Sequence, residues 1–311
     1  MNEPRPKRFD RAVDGILLLD KPQGMSSNAA LQSARTLFRA LKAGHAGSLD
    51  PLATGMLPIC FGQATKVCGY LLNSSKTYRV IAQLGSKTDS GDADGVVIEQ
   101  QPIPSLTQLQ IEQGLDSFLG PQQQVPPMYS ALKHEGRRLY ELARKGETIE
   151  REPRDILIES LKLISHGPSH IEFEVRCSKG TYVRALVEDI AQRLGTVAHV
   201  TLLRRLQVDP FEASRMISLE ALGALSLEER DALLQPSDTA LQQMPTVVLE
   251  AEQEAALFHG KVLTGFSTLE EGFWRAYGIG QRFLGLVRSD GRGQLKAERL
   301  FVSSSAGQKD A

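Results

Sequence analysis

The chain has 311 residues, 41% of them hydrophobic, and a net charge of -1. That length buries a sizeable core, as two domains or as one elongated domain with an appendage, and the near-zero charge excludes nucleic-acid binding by overall attraction alone. Apolar runs near the start, such as residues 16–19, are strand-sized, too short for a membrane span or a secretory signal, which points to a soluble cytoplasmic protein. The charge is unevenly spread. Residues 1–211 carry 26 Lys/Arg against 23 Asp/Glu, residues 212–245 carry 2 against 6, and residues 246–311 carry 8 against 8. A mildly basic body joined to an acidic segment is compatible with RNA binding without requiring it. Cys60, Cys68 and Cys177 form no Cys-x-x-Cys pair and read as free thiols, two of them in apolar surroundings. His166 and His170 are separated by Gly167 and Pro168, which spoil a helical ligand pair, so no metal site is expected.

Residues 1–11 hold four basic side chains and two prolines and read as a disordered basic arm. A short strand and turn follow in GILLLDKPQGMSS, whose serines offer an N-cap. Ala30, Leu31, Ala34, Leu37, Phe38 and Leu41 then recur at helical spacing, with Gly44 placed to end the helix. Residues 44–58, GHAGSLDPLATGMLP, hold three glycines, two prolines and one carboxylate, Asp50, between Leu49 and Pro51. Proline fixes its own φ and restricts the residue before it, so Asp50 is held. A held carboxylate serves as nucleophile, general base, metal ligand or closure of an Asx-turn.

LPICFG reads as a buried strand and residues 63–72 as a short helix. Residues 76–84 alternate, with Tyr78, Val80, Ala82 and Leu84 on one face. The acidic TDSGDADG, residues 88–95, lacks the closing glutamate of a calcium loop and reads as a polar hairpin or crossover loop. A helix is expected over 107–118, and after a proline-rich stretch a basic helical piece over 133–145. Two strands lead into SKGTYVRALVEDIAQRLG, where Val183, Leu186, Val187, Ile190 and Leu194 form an apolar stripe. Arg184 lies off that stripe in the first turn, where the helix macrodipole opposes a cation, so the position is not chosen for helix stability. Residues 214–244 read as an acidic helical connector, residues 246–302 as a small β-rich barrel, and 303–311 as a disordered tail.

The string GHAGSLDPLATGMLP resembles the signature of the TruB family, the pseudouridine synthases acting on the T-loop uridine at tRNA position 55. Further blocks follow in the family's order: Lys21-Pro22, Lys76-Thr77-Tyr78, KGTYVRAL and HVTLLRRL. The resemblance spans nearly the whole chain, most loosely at its C-terminal end. It implies an α+β catalytic domain over 12–245, built on a mixed, largely antiparallel sheet, and a PUA-like barrel over 246–302. It implies Asp50 as the catalytic nucleophile, Arg184 as its partner, Tyr78 and Leu203 packed on the base, with Tyr78 also a catalytic candidate that helps remove the C5 proton, Tyr182 lining the uridine pocket, and His45 filling the gap left by a flipped base. Lys21 supports the loop. The insertion at about 121–152, with Lys133, Arg137 and Arg138, would clamp the T-arm of the tRNA.

Isomerising uridine breaks the N1–C1′ bond, turns the uracil and joins C5 to C1′, with no redox change or group donor, so no cofactor is expected. One carboxylate suffices if the uracil anion is both leaving group and returning nucleophile; attack at C1′ or at C6 stays open. The reading is of an enzyme acting as a monomer. An RNA-binding folding factor is the alternative from another class, and a phosphoryl or glycosyl transferase lacks a phosphate loop and a second matched carboxylate.

Overall fold

The computed structural model describes residues 9–301. Strand β1 (Gly15–Lys21) is an unbroken apolar run because both its faces are covered: Ile16 and Leu18 bury on one side, Leu17 and Leu19 on the other. Helix α1 (Ser27–Phe38) starts where the Ser26 hydroxyl accepts from the Ala29 N–H, and it lays Ala30, Leu31, Ala34 and Phe38 against the second face. It stops short of the expected Gly44. Arg39 takes a left-handed φ of 52°, and Arg35 donates to the Ala40 and Leu41 carbonyls at 3.0 and 2.7 Å, so the chain turns back early as β2 (Ala43–His45). That strand runs antiparallel to β3 (Thr54–Phe61), which pairs in turn with β1, Lys21 opposite Gly55.

The short helix α2 (Cys68–Asn73) leads to β4 (Lys76–Leu84), and the hairpin of β5 (Ser86–Thr88) and β6 (Val97–Gln100) follows. Helix α3 (Gln108–Asp116) opens with a capping box on Thr107 and precedes β7 (Gly120–Gln124). Two-residue strands β8 (Lys133–His134) and β9 (Arg137–Arg138) and helix α4 (Leu139–Ala143) make up the insertion. Strands β10 (Arg154–His166) and β11 (His170–Cys177), helix α5 (Val183–Arg193) and strand β12 (Ala198–Val208) complete the second half. One sheet runs β7–β10–β11–β4–β12–β3–β1, and β13 (Ile217–Ser218) closes its edge parallel to β1. Only the β1/β13 and β3/β12 pairs in this sheet are parallel, which gives the mixed, largely antiparallel α+β body that the sequence led us to expect. Val80 and Ala82 of β4, Phe173 and Val175 of β11 and the apolar stripe of α5 form one core on one face of the sheet.

Three further local expectations differ from the structure. The basic stretch 133–145 is not one helix: a hairpin occupies 133–138 and only Leu139–Ala143 is helical. The arm expected over 1–11 is tied down where it is described, with Arg11 paired to Asp231, Asp10 to Arg39, and the Arg35 guanidinium 4.1 Å from the Phe9 ring centroid. Residues 1–8 and the tail lie outside the described residues. The acidic connector contributes a strand, β13, besides its short helices α6 (Leu219–Ala224) and α7 (Leu227–Ala232).

Beyond it, β14 (Thr246–Val248), α8 (Ala251–Phe258), β15 (Leu263–Phe266), β16 (Gly272–Tyr277), β17 (Phe283–Ser289) and β18 (Gly293–Leu300) make a second sheet in the order β14–β16–β17–β18–β15. It has its own core of Val247, Leu257, Leu263, Leu284 and Leu295. Leu286 and Phe301 leave that core and pack with Ile16, Met56 and Cys60 of the body.

Candidate active site

The loop between β2 and β3 is pinned from both sides. Lys21 is wholly buried, and its ammonium donates to the carbonyls of Pro22, Met25 and Pro51 at 2.8, 2.6 and 3.3 Å. Ser27 Oγ accepts from the Leu49 N–H at 2.7 Å, the Gly24 N–H donates to the Pro51 carbonyl at 2.8 Å, and the Ala53 N–H closes a turn on the Asp50 carbonyl at 3.1 Å. Leu49 and Leu52 bury on either side. The backbone at Asp50 is thus fixed while its side chain turns into a cavity of about 260 Å3, whose walls include Tyr78, Tyr182, Leu203, Lys76 and Arg184. At the loop's exit Gly55 has φ 97°, and a side chain there would overlap the Arg205 backbone carbonyl on β12, so only glycine lets the loop enter the sheet.

Arg184 Nε lies 2.9 Å from Asp50 Oδ2. The Arg184 side chain is 5% exposed and that of Asp50 41%, so the cation is the enclosed member and the carboxylate is the one presented to a ligand. Both terminal nitrogens of Arg184 are engaged as well: Nη1 with the Ser90 carbonyl and, at 3.7 Å, Asp92; Nη2 with the Tyr129 carbonyl at 2.6 Å. A guanidinium held by a planar fork of this kind aims its partner. Enclosure by the cavity walls pushes the Asp50 carboxyl above its ordinary value; Arg184 pulls against that rise and Asp92 adds to it. Gln124 of β7 holds the backbone of Tyr182, donating to its carbonyl at 3.1 Å and accepting from its N–H at 2.8 Å.

Tyr78 and Leu203 reach the cavity from neighbouring strands, in a register that sets Arg205 beside Tyr78 and Leu203 beside Val80. Burial pushes the Tyr78 phenol up, the nearby Arg205 opposing it, and burial raises Tyr182 too. Lys76 donates to the carbonyls of Leu71, Leu72 and Ser74, and burial brings its ammonium down to about 8. Burial likewise brings Lys21 down to about 8, Asp50 resisting.

Asp50, Arg184, Tyr78, Tyr182 and Leu203 are therefore brought together. His45 is not among the cavity walls: it ends β2, its Nδ1 is buried without a hydrogen-bond partner, and burial followed by Arg205 holds it below the usual histidine value. Lys133, Arg137 and Arg138 lie on the β8–β9 hairpin, the two arginines exposed. The insertion is rooted at the cavity by Tyr129, whose carbonyl accepts from Arg184, and by Ser130 in the cavity wall. Sequence reasoning passed over Asp92, Tyr129, Ser130, Lys76 and Arg205. The triple-aspartate run TDSGDADG was the available signal for Asp92, which is buried and faces Arg184. Among the described residues no group of three His, Cys, Asp or Glu side chains is placed to hold a metal ion.

The TruB family pseudouridylate synthase (N-terminal domain) model matches residues 35–183, the tRNA pseudouridylate synthase B C-terminal domain model residues 184–242, and the pseudouridine synthase II TruB C-terminal model residues 245–301. A tRNA pseudouridine synthase B of Chromohalobacter salexigens is 47% identical over 301 residues, covering 96% of this chain and 98% of that one. One from Cronobacter sakazakii is 45% identical over 309 residues, with the same coverage. In fold the chain resembles the structure described as a Cbf5-Nop10-Gar1 complex, with a TM-score of 0.71 at 23% identity over 93% of this chain and 85% of that one. An α+β body of this topology, a curled C-terminal sheet of the PUA-like kind, and relatives matched along nearly their whole length establish that this chain belongs to the TruB family of pseudouridylate synthases.

Proposed function

We propose that the protein is a tRNA pseudouridine synthase that isomerises the T-loop uridine at tRNA position 55, acting in the cytoplasm as a monomer. Residues 12–245 form the catalytic body and 246–302 a PUA-like domain. The observation that carries this reading is the Asp50–Arg184 pair at 2.9 Å, its carboxylate exposed into a cavity walled by Tyr78, Tyr182 and Leu203. Such a cavity takes a pyrimidine ring edge-on to a fixed carboxylate.

The uridine first leaves its stack, because no group on the cavity floor reaches a base inside a folded loop. His45, kept neutral by its surroundings, is the side chain we assign to the gap left behind. Leu203 and Tyr78 pack on the extruded ring, Tyr182 lines its pocket, and Asp50 acts as nucleophile, at C1′ or at C6 of the base. With attack at C1′, the carboxylate bonds the sugar carbon as the N1–C1′ bond breaks and uracil leaves as its anion. The ring turns, C5 attacks C1′ and displaces Asp50, and the C5 proton is lost as N1 gains one, so substrate and product have the same atoms. Arg184 favours the ionised carboxylate before attack and after its displacement, and aims it. Tyr78, whose phenol is held protonated by burial, serves better as a packing surface than as acceptor of the C5 proton. Lys133, Arg137 and Arg138 neutralise phosphates of the T-arm.

Asp50→Asn tests the assignment. On a T-arm transcript it is expected to lower the single-turnover rate by at least about 10^4-fold, as loss of a nucleophile does, while leaving RNA affinity within about threefold. Full activity in this variant rejects the reading.

A further inference from the structure

Two of the three cysteines, unpaired in the sequence, meet in the fold. Cys60 lies in β3 directly opposite Gly44 of β2, and directly opposed residues project side chains to the same face about 4.5–5.5 Å apart. Position 44 has no side chain. A Cβ built there would lie 3.7 Å from Cys68 Sγ and 3.8 Å from Thr65 Cγ2, so the Cys68 sulfur, from the first residue of α2, fills the space beside Cys60 that glycine leaves. Both cysteines belong to one apolar cluster. Cys60 is fully buried, Cys68 partly exposed.

We infer that Cys60 and Cys68 form an oxidisable pair: hydroperoxides attack Cys68, and Cys60 resolves the product as an intramolecular disulfide. The neighbouring thiol and burial push Cys60 up, while the same neighbour draws Cys68 below the ordinary thiol value, Lys42 assisting against burial. Cys68 is thus the thiol of greater thiolate character and the one a solute reaches, the pairing found in peroxide-sensitive sites. Its thiolate takes one oxygen from ROOH, releasing the alkoxide as ROH and leaving a sulfenic acid. The Cys60 sulfur then attacks that sulfur, its proton leaving with the hydroxyl as water. Two thiols and one hydroperoxide give one disulfide, one ROH and one water. Cys177, pushed up to about 11 by burial, stays outside this chemistry.

The site is coupled to the cavity. Helix α2 supplies Leu72 to the cavity wall and the Leu71 and Leu72 carbonyls to Lys76, so a bond that draws its first turn onto β3 disturbs that wall and lowers turnover. The chemical half is independent of the proposed function; only the turnover half rests on it.

The full-length protein is treated with a small excess of hydrogen peroxide, alkylated with iodoacetamide, digested and examined by mass spectrometry. The expected product is a Cys60–Cys68 linkage, two hydrogens lighter than the dithiol and reversed by dithiothreitol, with Cys177 still a thiol. Cys60→Ser should hold Cys68 as a sulfenic acid that dimedone captures, and Cys68→Ser should leave Cys60 unoxidised. Direct conversion of Cys68 to its sulfinic acid, a linkage through Cys177, or no reaction at either thiol overturns the pairing. Pseudouridine formation by the oxidised protein is expected to fall at least about threefold and return on reduction, as a disturbed cavity wall requires, with Cys68→Ser insensitive to peroxide. A disulfide formed without loss of turnover overturns the coupling while leaving the proposed function intact.

Discussion

Asp50 shows how one side chain is held and charged at once. Its loop was legible in sequence from Pro51 and the flanking glycines, and Lys21 ties three carbonyls together beneath the loop. The position of Asp92 was not legible, because one of three carboxylates in a polar run looks the same in sequence whether it faces solvent or the guanidinium of Arg184, far along the chain. Since enclosure raises the Asp50 pKa above its ordinary value, and the ionised form is the nucleophile we propose, turnover is expected to fall as pH drops through that raised value. Arg184 is the strongest pull in the other direction. Arg184→Gln is therefore expected to move the acid limb of the single-turnover pH profile to higher pH, and an acid limb that stays put or moves down refutes the pairing. The same shift has a stability sign. A carboxyl whose pKa is raised by folding favours the folded state below its unfolded value and loses that advantage as pH rises through the folded one. At neutral pH ionised Asp50 thus costs stability, and Asp50→Asn should melt no lower than the parent; a drop of several degrees means the ion pair outweighs the enclosure.

Elements were read best where periodicity and core face agree. Strands β4 and β11 alternate as their sequences do, and the α5 stripe is the buried one. The insertion was misread because its helical spacing competes with a turn: Glu135 and Gly136 both take positive φ, at 49° and 84°, the conformation of a two-residue hairpin turn. That hairpin holds Arg137 and Arg138 out into solvent. Reversing both to Glu is expected to weaken tRNA binding and to reduce the slope of log affinity against log salt by roughly one to two units, since each neutralised phosphate contributes about 0.7–0.9. An unchanged slope assigns the hairpin to solvent. At the loop exit, Gly55→Ala forces a side chain into the β12 backbone at a left-handed φ. We expect a loss of about 3 kcal/mol or more in urea unfolding, with activity falling further than Lys76→Met, which leaves the loop's own backbone alone.

At the scale of the whole molecule, the C-terminal sheet is seated on the body. Leu286 and Phe301 pack with Ile16, Met56 and Cys60 of the body, and Lys66 donates to the Leu300 carbonyl at 2.6 Å. Tyr277 donates to Asp238 at 2.6 Å, and Arg275 to the Met244 carbonyl at 3.0 Å. Phe301→Ala should cost about 3 kcal/mol and release the sheet to limited proteolysis near residue 245 while the body stays folded; a variant as resistant as the parent means the polar contacts alone hold the joint. The sequence by itself determined which stretches are strands, which carboxylate is held, and which family's motifs stand in order, because these rest on local backbone restriction and on the two- and 3.6-residue periods of burial. Only the tertiary structure decided that Arg184 is caged between Asp50 and Asp92, that Arg205 and Tyr78 share a register, that His45 stands apart from the cavity walls, and that Cys60 meets Cys68 across Gly44. Those are meetings between distant segments, fixed by strand pairing and by the space that packing leaves, and neither is written in the spacing of residues along the chain.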